Sequence, residues 1–141
     1  MIPTILLVDD DDCFKRLIER AINHSRFKVS LQYVWNGEEA ISYLSRNEQF
    51  KDEIRYPMPS VVLLDLKMPC VNGFEVLQWR LNRPGLKEIP FAILTSSDLQ
   101  QDKERAFELS ADHYFVKPMS LQELTAIIET LDTLCEKTNP G

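Results

Sequence analysis

Short strand-like runs alternating with longer stretches that carry apolar residues at helical spacing leave this chain very few folds. Thr4–Val8 and Val61–Leu64 are four- or five-residue runs with almost no polar residue, and residues 90–95 repeat the pattern. Residues 28–34 place Val29, Leu31 and Tyr33 in alternation, and residues 112–116 form a last short run before Lys117-Pro118. Strands that are apolar without alternation are buried on both faces, as in parallel sheets.

The stretches between them read as helices. Residues 11–25 carry Phe14, Leu17, Ile18, Ala21 and Ile22 at helical spacing, with aspartates at the start, where the helix dipole favours negative charge. A second helix begins at Asn36-Gly37 and presents Ala40, Ile41, Tyr43 and Leu44; a third spans residues 73–82 and is closed by Pro84-Gly85. Asp98 is the expected cap of a fourth helix with Ala106, Phe107 and Leu109 on its apolar side. Ser120 and Glu123 form a capping box for a fifth that carries Leu121, Leu124, Ile127, Ile128, Leu131 and Leu134. Residues 47–60 are irregular, contain Pro57 and Pro59, and are expected to form an extended surface loop. Strand–helix alternation of this kind predicts one α/β domain with a core of about residues 4–135, built on a five-stranded parallel doubly wound sheet with five flanking helices.

Composition narrows the function. The chain has 141 residues, 44% of them hydrophobic, enough for one domain with a real core. Its formal charge of −6 and its lack of any Lys/Arg cluster exclude a basic nucleic-acid-binding face. No apolar run is long enough to span a bilayer, and Met1-Ile-Pro-Thr-Ile has neither the basic region nor the cleavage site of a signal peptide, so a cytoplasmic protein without membrane contact is expected. Cys13, Cys70 and Cys135 are scattered and read as reduced thiols. His24 and His113 have no companion ligands in the sequence. Trp35, Trp79 and Phe107 read as packing residues.

In doubly wound sheets the active crevice lies beyond the carboxyl ends of the strands. The residues just after these strands are Asp9 and Asp10, Asp65, Thr95 at the end of its run, and Lys117. Two carboxylates about 4 Å apart repel by roughly 4 kcal/mol at an effective dielectric near 20, so three of them gathered at one edge call for a cation. Mg²⁺ suits such a set because it prefers carboxylate and carbonyl oxygens and commonly works beside phosphoryl groups. Thr95 can donate to a phosphoryl oxygen, Lys117 can neutralise another, and Asp65 can attack phosphorus to give an acyl phosphate.

Residues 5–10 (Ile-Leu-Leu-Val-Asp-Asp), 62–69 (Val-Leu-Leu-Asp-Leu-Lys-Met-Pro), Asn72-Gly73, 92–96 (Ala-Ile-Leu-Thr-Ser) and 114–118 (Tyr-Phe-Val-Lys-Pro) together resemble the receiver domains of two-component response regulators. The resemblance implies a flavodoxin-like fold, with Asp65 as phosphoacceptor and Mg²⁺ held by Asp10, Asp65 and the backbone carbonyl of Lys67, Asp9 acting mainly through water. It also implies that Lys117 binds a phosphoryl oxygen, that Thr95 and Tyr114 form a switch, and that the Lys117–Pro118 bond is cis. The implied partners are a sensor histidine kinase or phosphotransfer protein and a downstream protein target, or a second copy of the chain in a homodimer. The long loop before the third strand is similar to that of regulators paired with phytochrome-type kinases. Such a domain is a signalling switch rather than an enzyme. A phosphorylation-independent docking module is the alternative from the binding class, although such domains lose pocket acids that this chain keeps. A phosphatase of the haloacid dehalogenase type needs a further acidic pair after the lysine, where this chain has Pro-Met-Ser-Leu-Gln. The resemblance has two departures. Ser110-Ala111 stands where Gly-Ala is common, and Asn72 stands where Asp is common.

Overall fold

The computed structural model describes residues 2–117 and 120–138, so the expected cis bond at Pro118 and the tail from 139 lie outside the described residues. Ten main elements alternate along the chain: β1 (Thr4–Val8), α1 (Asp12–His24), β2 (Ser30–Val34), α2 (Gly37–Leu44), β3 (Val61–Leu64), α3 (Gly73–Arg80), β4 (Phe91–Thr95), α4 (Gln100–Glu108), β5 (His113–Val116) and α5 (Leu121–Thr138). The strands form one parallel sheet in the order β2-β1-β3-β4-β5, the flavodoxin-like α/β arrangement expected.

Successive strand residues serve opposite faces. Leu6, Val8, Val62, Leu64, Phe91 and Ile93 join the core on the side of α2, α3 and α4, whereas Ile5, Leu7, Val61, Leu63, Ala92 and Leu94 pack towards α1 and α5. Both sides are covered, which is why these strands do not alternate in sequence. Helices α1, α2, α3 and α5 start on side-chain caps. Asp11 accepts from the backbone N–H groups of Cys13 and Phe14, Asn36 from that of Glu39, and Asn72 shares a reciprocal capping box with Glu75. At the start of α5 the Ser120 Oγ accepts from the Glu123 N–H, the first half of the expected capping box, and its hydroxyl donates to the Glu123 carboxylate.

Several expectations need correction. β2 is two residues shorter than residues 28–34 suggested, and α3 ends at Arg80, before a short 3₁₀ turn at Pro84–Leu86. Asp98 does not cap α4: it pairs with Lys103 at 3.0 Å, and the cap position falls to Leu99, whose side chain makes no cap bond. Trp35 and Phe107 are 64% and 50% exposed, so neither is a core residue. Residues 47–60 do not simply skirt the surface. A 3₁₀ turn at Glu48–Phe50 buries Phe50 against Tyr43 and Tyr56, with ring centroids 5.0–5.9 Å apart, and the Tyr43 hydroxyl donates to the Pro57 carbonyl at 2.6 Å. Aromatic spacing across a turn has no helical or strand period, so the sequence alone hid this extension of the core on the α2 side of the sheet. Ser110 has φ 70°, a left-handed conformation that glycine adopts without strain, which accounts for the common Gly-Ala at that turn. The carbonyl of Ser110 accepts from the buried Arg80 guanidinium, which also bonds the Ile89 carbonyl and Asp112 and ties α3 to the turn.

Candidate functional site: an acidic pocket at the strand ends

Strand register assembles the site. Val8 lies level with Leu64 across β1 and β3, so the residues that follow, Asp9 and Asp65, stand side by side. Both backbones are still fixed by the sheet: the Asp9 N–H donates to the Val34 carbonyl and the Asp65 N–H to that of Val8. On the other flank the Lys117 N–H donates to the Thr95 carbonyl at 2.7 Å, which holds the lysine to the end of β4.

Asp9, Asp10 and Asp65 each offer a carboxylate oxygen within 4.8 Å of the others, Asp9 and Asp65 buried and Asp10 exposed. The Lys117 ammonium lies 2.9 Å from Asp9 Oδ2 and 3.5 Å from Asp65 Oδ2, over the Phe14 ring. The contact with Asp9 is an ion contact rather than a well-directed hydrogen bond. Asp9 Oδ1 accepts from the Asp11 N–H at 2.9 Å, and Asp65 Oδ1 from the Lys67 N–H at 3.3 Å.

One ammonium does not balance three carboxylates. Burial, helped by the neighbouring Asp65 charge and opposed by the contact with Lys117, pushes the Asp9 carboxyl up to about 6. Burial by itself pulls the Lys117 ammonium down, but the Asp9 and Asp65 carboxylates outweigh it and hold the group above the ordinary lysine value. Buried Asp9 therefore carries strain that a cation would relieve. A set of hard oxygen donors with surplus negative charge fits a hard divalent cation.

Thr95 is fully buried, and its Oγ1 faces the Ser97 N–H at 3.5 Å. The Tyr114 hydroxyl donates to the Ser97 carbonyl at 2.9 Å, and its ring lies 6.4 Å from that of Phe107 on α4. Tyr114 thus packs on the α4 side of the sheet, whereas Lys117 reaches Phe14 on α1. Asp11 and Asp12 do serve the helix start: Asp11 caps α1, and Asp12 in its first turn pairs with Arg16. The Lys67 ammonium lies 3.9 Å from Asp102 on α4.

Two residues were missed in the sequence. Ser97 links Thr95 to Tyr114 through its backbone, and its hydroxyl donates to Asp102 at 2.5 Å. Its position two residues beyond Thr95 was the available signal. Nothing in the sequence singled out Asp102, because its role depends on where α4 starts.

A parallel sheet with this acid cluster, threonine and lysine at its carboxyl edge defines a receiver, and residues 5–129 match the model of the response regulator receiver domain family. The chain belongs to that family, the phosphoprotein switches of two-component signalling. It is 33% identical over 127 residues to the probable methanogenesis regulatory protein FilR2 of Methanothrix harundinacea, covering 90% of this chain and 79% of the relative. It is 29% identical over 134 residues to the response regulator Rcp1 of Synechocystis sp., covering 95% and 89%. The crystal structure of Mn²⁺-bound Rcp1 superposes with a TM-score of 0.80 over 93% of this chain and 92% of that one. The phosphorylated cyanobacterial phytochrome response regulator RcpA, 30% identical, gives 0.83 over 94% and 92%.

Proposed function

We propose that this chain is a single receiver domain that takes a phosphoryl group on Asp65 from a sensor histidine kinase or phosphotransfer protein and thereby changes a protein-binding surface. The observation that carries this is the placement of Asp65 itself. It is a 5%-exposed carboxylate at the end of a central strand, braced by the Lys67 N–H on one oxygen and by Lys117 on the other, in an acid cluster that suits a divalent cation. The relatives bear on two further points: Rcp1 was crystallised with Mn²⁺ and RcpA in its phosphorylated form.

An Asp65 carboxylate oxygen attacks phosphorus, forming an O–P bond, while the P–N bond to the donor imidazole breaks and the nitrogen leaves with the electron pair and takes up a proton. Asp10, Asp65 and the Lys67 carbonyl are the groups that would hold Mg²⁺, with Asp9 acting through water. When bound, the cation neutralises charge on the phosphoryl oxygens. Lys117 leaves its contact with Asp65 for a phosphoryl oxygen, and the Thr95 hydroxyl turns to donate to another. Mixing the protein with acetyl phosphate and Mg²⁺ should add one phosphoryl mass that hydroxylamine removes, and Asp65→Asn should show no such adduct. Labelling of Asp65→Asn at the wild-type level would rule Asp65 out.

Among the described residues no helix is long and apolar enough to cross a membrane. A cytoplasmic site, where kinase domains phosphorylate receivers, is part of the same reading. Output runs through the path Thr95–Ser97–Tyr114 to α4, towards a protein target or a second copy of the chain. Tyr114→Ala removes the hydroxyl that ties β5 to the Ser97 carbonyl, and it is expected to weaken the change in sedimentation or target affinity that beryllofluoride induces. A wild-type response from Tyr114→Ala would send the signal by another route.

A further inference from the structure

Asp102 lies in the first turn of α4, away from the strand ends, yet it belongs to the same cleft. Its side chain is only 15% exposed, accepts from the Ser97 hydroxyl at 2.5 Å, and stands 3.9 Å from the Lys67 ammonium. The cleft it lines also contains Asp10, Lys67 and Arg105. Arg105 stacks on the Phe74 ring, its guanidinium carbon 4.2 Å from the centroid. Lys67 is the cation closest along the chain to the phosphoacceptor, its side chain is 61% exposed, and its ammonium lies beside an acid on α4.

We infer that Asp102 is a positioning residue for phosphoryl loading: its carboxylate draws the Lys67 ammonium across the cleft, so an anionic phosphodonor gains that charge only when the Lys67–Asp102 contact opens. The inference rests on Asp65 being the phosphoacceptor. An ordinary alternative is that Asp102 only favours the α4 N-terminus and anchors it through Ser97. The two differ in what happens to Lys67. As the resting contact opens, Lys67 meets the approaching anion and Asp102 keeps Ser97, so α4 is held to the β4 loop throughout.

The test is the second-order rate constant for labelling by acetyl phosphate in Mg²⁺, read by intact mass at several ionic strengths. Asp102→Asn keeps an acceptor for Ser97 and removes the charge. It is expected to speed labelling about three- to fivefold at low salt, the size of one partly screened ion pair, with the gain shrinking as salt rises. Lys67→Ala placed on Asp102→Asn should cancel the gain, since no ammonium remains to be released. Ser97→Ala, which removes the hydrogen bond and keeps both charges, should not reproduce it. An unchanged or slower rate in Asp102→Asn, or a gain that survives Lys67→Ala or high salt, overturns the inference. Absence of labelling in the wild type would instead overturn the assignment of Asp65 on which it rests.

Discussion

Gly73→Ala should destabilise the domain by about 3 kcal/mol or more, because the added methyl has nowhere to go. A Cβ at Gly73 would overlap the Asp65 carbonyl oxygen and lie 2.8 Å from the Leu66 Cα, both backbone atoms that no side-chain rotation can clear. Gly73 has no left-handed φ, so the requirement is space alone. The close approach exists because α3 begins directly behind the end of β3, with the Gly73 N–H donating to the Leu66 carbonyl at 3.1 Å. Whatever Gly73→Ala protein folds should also carry a displaced Asp65 and label slowly with acetyl phosphate. Urea unfolding of the two proteins measures the first effect, and a stability within about 0.5 kcal/mol of wild type, the range of ordinary surface changes, would contradict the packing described.

The second large effect is electrostatic and has a definite pH window. The Asp9 carboxyl is pushed up to about 6 in the folded protein from an ordinary value of 3.8, so between those pH values the folded state holds a proton that the unfolded chain has released. Stability from this group is therefore present at low pH and is lost as pH rises from about 4 through 6. The deficit above pH 6 is about 3 kcal/mol, since each tenfold change in proton affinity between the two states is worth about 1.36 kcal/mol. In chelator, Asp9→Asn should be more stable than wild type at pH 7.5 by an amount of this order, and the difference between the two proteins should vanish near pH 4. Adding Mg²⁺ should stabilise wild type by mass action on the folded state and stabilise Asp9→Asn less. Equal stability of the two proteins in chelator at pH 7.5 would mean that burial does not strain Asp9. An identical Mg²⁺ response would mean that Asp9 takes no part in holding the cation.

The sequence was most legible where local pattern and burial agree. The apolar runs Thr4–Val8 and Val61–Leu64 announce strands covered on both faces, and the aspartates and lysine that follow strands come together at one edge of the sheet. Asn36, Asn72 and Ser120 announce helix starts because a cap is a contact between near neighbours in the chain. Asp98 misled for the same reason: its neighbours invite a cap, but the ion pair with Lys103 takes it. The aromatic cluster of Tyr43, Phe50 and Tyr56 was invisible because a loop core follows no period.

The class of sheet, the edge at which the acids and the lysine gather and the residue types found there could all be read from the chain, since each depends on a strand's burial and on the residue that ends it. The tertiary structure alone decided how the charged groups are disposed. It buries Asp9 and leaves Asp10 at the rim, although the two are adjacent in the chain, because successive residues leave a strand end in different directions. It also set α4 so that Asp102 meets Lys67 and Ser97, and brought α3 so close behind Asp65 that only glycine fits. Those facts depend on distances between elements far apart in sequence, and such distances are settled only when the whole core packs.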